Sequence, residues 1–71
     1  MTRRNMTKLI HEGEYVAEVE VELIYTDDDW SPYLSLNDAM KLDEVRDSLR
    51  RGELEAAGHL ARVFRLIPVA A

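Results

Sequence analysis

From Tyr15 to Tyr25 the chain reads Tyr-Val-Ala-Glu-Val-Glu-Val-Glu-Leu-Ile-Tyr, with apolar residues at the odd positions and Glu18, Glu20 and Glu22 on the other parity. Successive side chains of a strand point to opposite sides, so this segment predicts a β-strand with one oily face and one row of carboxylates. The oily face must be covered. A two-stranded hairpin is marginal alone, so helices of the same chain or the sheet of a second copy have to do it.

The flanking residues fit a hairpin and then helices. Thr7–Ile10 is β-compatible, and His11-Glu-Gly-Glu14 puts a glycine where a tight turn needs positive φ, predicting strands at about 7–11 and 15–26. Asp27-Asp-Asp29 ends the second strand, because aspartates favour turns over strands. Trp30-Ser-Pro-Tyr-Leu34 is a short connector in which Pro32 keeps its predecessor extended and the two aromatics are expected to fold over the core. Ser35 is the candidate N-cap of a first helix over about 36–50, with Asp38 in capping-box spacing and Leu36, Ala39, Leu42, Val45 and Leu49 as its apolar stripe. Arg50 and Arg51 suit the negative end of the helix dipole, and Gly52 suits a left-handed cap. A second helix follows, with Leu54, Ala57, Leu60 or Ala61, and Phe64 on its stripe, ending near Leu66 ahead of Pro68. Gly58 inside it costs roughly 1 kcal/mol relative to alanine, which implies close backbone approach to the first helix or the sheet. The expected fold is α+β, an antiparallel β-hairpin followed by a two-helix hairpin.

A chain of 71 residues without cysteine is one domain with a small core and no disulfide or thiolate staple. Help from a partner or from a second copy is therefore expected, and the domain is expected to be dimeric or partner-stabilised. Absent cysteine fits a reducing cytoplasm, and no segment has the run of about 18 apolar residues that a membrane span needs. Met1-Thr-Arg-Arg-Asn5 lacks the apolar core of a signal peptide, and Met6 is an alternative start, so residues 1–6 are expected to form a disordered tail ahead of a domain over 7–69.

The net charge of −5 is local: residues 1–10 carry three bases, residues 11–30 carry eight acids and no base, and the remainder balances. Such a field discourages phosphate backbones and favours a basic protein surface. Catalysis is not expected. Ser31, Ser35 and Ser48 lack a nucleophile elbow, and His11 and His59 fall in a turn and on a helix surface. Asp27–Asp29 lack the alternation of a calcium loop, His11-Glu12 lacks the second zinc-binding histidine, and glycines at 13, 52 and 58 make no phosphate cradle. No metal and no cofactor are expected.

Strand, helix and helix is also the order of ribbon-helix-helix DNA binders, whose strand enters the major groove with polar or basic side chains. Here the solvent parity of the long strand shows glutamates to the phosphates. DNA binding would fall to the N-terminal Arg3, Arg4 and Lys8, as a repressor of its own operon.

Trp30-Ser-Pro-Tyr-Leu-Ser-Leu-Asn-Asp-Ala-Met-Lys-Leu-Asp-Glu-Val-Arg-Asp-Ser-Leu-Arg-Arg-Gly-Glu-Leu54 resembles a family of short, mostly uncharacterised bacterial proteins associated with toxin–antitoxin-like gene pairs. The Glu14–Leu23 strand and Ala61-Arg-Val-Phe64 share the likeness, which spans about residues 7–69. It implies an antitoxin whose partner is a small basic toxin, often an RNA-cutting one. Glu18, Glu20 and Glu22 would then supply electrostatic complementarity, and Tyr25, Trp30 and Tyr33 aromatic anchors. The bland alternative is a solvated sheet face whose glutamates prevent aggregation, in a domain with no ligand.

Overall fold

In a computed structural model that describes residues 2–27 and 32–70, β1 (Thr2–Glu12) and β2 (Tyr15–Tyr25) form one long antiparallel hairpin. The register runs without a bulge from Thr2 opposite Tyr25 to Glu12 opposite Tyr15. Gly13 has φ 61° and no non-glycine residue among the described ones has positive φ, so the two-residue turn is type II′, which requires glycine at its first central position. The first strand therefore starts at Thr2 and not at Thr7. Residues 2–6 are not a tail, because each finds a cross-strand partner among residues 21–25.

β3 (Tyr33–Leu34), α1 (Leu36–Arg50), α2 (Leu54–Leu60) and β4 (Arg62–Arg65) complete the chain. β1 lies along one edge of β2, while the other edge takes β4 opposite residues 15–18 and β3 opposite residues 23–24, both antiparallel. The class is the expected α+β, hairpin then two helices, with a sheet of four strands.

Ser35 caps α1: its backbone is extended and its Oγ accepts from the Asp38 N–H at 3.2 Å. The reciprocal arm of a capping box is diverted, since Asp38 Oδ2 accepts the backbone N–H of Glu22 at 2.7 Å and so seals part of the gap that β3 and β4 leave on the edge of β2. That polar contact docks the first turn against the sheet edge, and burial shifts to the second half of the helix: Val45, Ser48 and Leu49 are buried, whereas Leu36 of the expected stripe is 75% exposed. The helix ends in a Schellman motif, with the Gly52 N–H bonded to Leu49 O (3.2 Å), the Glu53 N–H bonded to Ser48 O (2.8 Å), and Gly52 at φ 72°.

The second helix stops at Leu60, not near Leu66. Ala61 is fully extended, and Arg62-Val-Phe-Arg65 pairs with β2. Leu54, Ala57 and Phe64 suit a helical stripe, but Val63 and Phe64 also suit a strand, and the vacant edge of β2 decides between them. Gly58 meets nothing within 4 Å of where a Cβ would sit, so close approach within the chain does not account for it.

Ile10, Ala17, Val19, Val21, Val45, Leu49 and Ala57 make the buried cluster between the inner face of the sheet and the two helices. The helices cover that face only. The molecule is a slab of 47 × 30 × 14 Å with a radius of gyration of 14.4 Å, against about 11 Å for a compact chain of this length.

Candidate functional site

The face of the sheet opposite the helices is fixed residue by residue by the register, because cross-strand partners share a face, and it is open except at Ile24, which is buried. Glu18 lies between Leu9 and Arg62, Glu20 faces Thr7, and Glu22 faces Asn5. At the turn end Val16 sits between His11 and Phe64; at the other end Ile24 sits between Arg3 and Tyr33. The face is thus acidic in the middle and apolar at both ends. Leu9 is 67% exposed, and Tyr33 and Phe64 are exposed with it.

The carboxylates are engaged within the molecule. Arg3 Nη1 donates to Glu22 Oε1 at 3.2 Å, Thr7 Oγ1 donates to Glu20 Oε1 at 2.6 Å, and Arg62 Nη1 stands 3.9 Å from Glu18 Oε1. Arg62 also lies over the Phe64 ring, 5.3 Å from its centroid, so one guanidinium links the acidic row to the apolar end. These partners are solvent-exposed, with the Arg3 and Arg62 side chains 60% and 80% accessible. Exposed pairs of this kind are worth about 0–1 kcal/mol, so a competing cation can replace either arginine at little cost.

The structure brings Glu18, Glu20, Glu22 and Tyr33 onto one face. Tyr25 has the opposite parity, on the helix side of the sheet, with Arg4 5.7 Å from its ring centroid. Trp30 lies outside the described residues. Arg3, Arg4 and Lys8 do not form one basic surface: Arg3 is on the open face beside Glu22, while Arg4 and Lys8 take the inner parity opposite Leu23 and Val19. Arg62, Phe64, Thr7 and Leu9 belong to the face without having been singled out by the sequence. The β-branched and aromatic pair Val63-Phe64 was the available signal for the first two.

Elsewhere, His11 Nε2 lies 2.8 Å from Gly13 O, a local turn contact, and His59 is on the exposed side of α2. Arg65 donates to Tyr15 Oη at 3.2 Å and stacks on its ring, and this hydrogen bond raises the guanidinium pKa above its ordinary value. Among the described residues no group of three or more His, Cys, Asp or Glu side chains could hold a metal ion, and no helix is long and apolar enough to cross a membrane. No family model, curated protein or solved structure matches the chain.

Proposed function

We propose that this chain is a non-enzymatic protein-binding module that neutralises a small basic toxin by docking it on the open face of the sheet. The observation that carries the reading is the layout of that face, with Glu18, Glu20 and Glu22 in a row between apolar ends at Val16–Phe64 and Ile24–Tyr33. Exposed Leu9, Phe64 and Tyr33 supply apolar contact area, whereas Ile24 is buried, and the acidic centre selects a cationic partner and speeds encounter. Docking exchanges Arg3 and Arg62 for arginines or lysines of the partner, leaving each carboxylate paired. A toxin that handles RNA needs a cationic site, and a glutamate row occupies such a site as a surrogate for phosphates.

Isothermal titration against the small basic protein encoded beside its gene tests this. Wild-type chain binds it, and the triple variant E18K/E20K/E22K binds at least about 100-fold more weakly while its circular dichroism is unchanged. Unchanged affinity would remove the glutamate row from the interface. A steep salt-dependent gel shift on DNA upstream of the gene, lost in an Arg3, Arg4 and Lys8 alanine variant, would favour the repressor reading instead.

A further inference from the structure

The backbone of β1 has one edge on β2 and no strand on the other among the described residues. In an antiparallel ladder the N–H and C=O of one residue point to the same edge, alternating along the strand. Because the Glu22 N–H turns away from β1 to reach Asp38, the even residues of β2 point away from β1 and the odd ones toward it. Their partners are the even residues of β1, which leaves the odd residues Arg3 to His11 presenting their backbone groups along the free edge. This edge is 11 residues long and contains neither proline nor glycine. Unpaired edges of that length are templates for another strand.

We infer that the free edge of β1 pairs antiparallel with β1 of a second copy about a two-fold axis at Thr7, joining two four-stranded sheets into one. Charge favours the antiparallel direction over the parallel one. Arg3 and Arg4 lie at one end of β1 and Glu12 and Glu14 at or just past the other, so the antiparallel arrangement sets Thr2 against Glu12, Arg3 against His11 and Arg4 against Ile10, which keeps like charges apart while Arg3 stays on Glu22 and Glu12 on Arg50 at 2.9 Å. Parallel pairing would stack the bases on one another. Area agrees with a partner of this size. The chain exposes 5557 Å², whereas a compact monomer of 8.2 kDa exposes about 4,500 Å²; the excess of about 1,000 Å² is of the order that one partner covers in a standard interface. The pairing also places the bare end of the hairpin, where Met6 is 42% exposed, beside the helix-covered end of the other copy. Basic side chains on an edge can guard against pairing, but Arg3 is held by Glu22 and Arg4 by the Tyr25 ring, which keeps both off the neighbouring strand. The open acidic face plays no part in this contact.

Sedimentation of the full chain across a concentration series reads the association, and two variants read the surface. Wild type reaches twice the monomer mass. Thr7→Pro removes the edge-directed N–H together with the exposed hydroxyl bond to Glu20, leaves the backbone ladder to β2, and weakens self-association at least about tenfold because two hydrogen bonds between copies are lost. Thr7→Cys, in a chain with no other cysteine, oxidises to a covalent dimer faster than the exposed control Ile67→Cys, since paired Cα atoms about 5.5 Å apart suit a disulfide. A chain that stays monomeric throughout, or a dimer that Thr7→Pro leaves intact, overturns the inference. Should Thr7→Pro unfold, a Thr7→Cys variant that cross-links no faster than the control overturns it equally.

Discussion

The two halves of the hairpin are made of the same strands and differ in what lies over them. Near the turn, Ile10, Ala17 and Val19 are sealed under Val45, Leu49 and Ala57. Toward the far end, Arg4 and Met6 are exposed on that same side of the sheet, and Leu23 and Tyr25 are only half-buried. Alternation in the strand creates an apolar face along its whole length, whereas the helices are long enough to cover only part of it. The covered half provides the stability, and the bare half provides surface.

Truncating one side chain in each half separates the two most strongly. Leu49→Ala costs about 3 kcal/mol in urea denaturation through lost burial and a cavity, while Met6→Ala costs no more than about 0.5 kcal/mol. Equal losses would mean that the far half is packed as tightly as the near one. A smaller effect is expected where the halves meet. Asp38→Ala leaves the Glu22 N–H without its acceptor and removes the acid from the first turn of α1, and a loss of about 2 kcal/mol should appear in the same assay. One effect has the opposite sign. Gly58→Ala has open space for its methyl group and no positive φ to strain, so thermal unfolding should show a gain of about 1 kcal/mol. A loss there would show that the covered half is tighter around α2 than its geometry indicates.

Glycines show how local and distant causes divide. Gly13 and Gly52 were legible because a two-residue turn and a Schellman cap each need positive φ at one position, a demand written into the neighbouring residues. Gly58 was misread, since its environment depends on which elements pack against α2. The capping box at Ser35 was legible in its first arm and not in its second: Asp38 reaches instead to a strand that precedes it by many residues. Of the acidic face, the parity of Glu18, Glu20 and Glu22 was readable, and their arginine partners were not.

Alternation, turn chemistry and caps act between residues close along the chain, so the long strand, its two faces, the tight turn and the bounds of α1 could be read from the residues alone. That residues 2–6 extend the hairpin, that Arg62–Arg65 is a strand and not a helix end, and that Arg3 and Arg62 sit on the glutamates came from the folded chain. Strand pairing depends on hydrogen-bond partners distant in sequence. The two edges of β2 supplied them, and no local pattern records that those edges would otherwise be vacant.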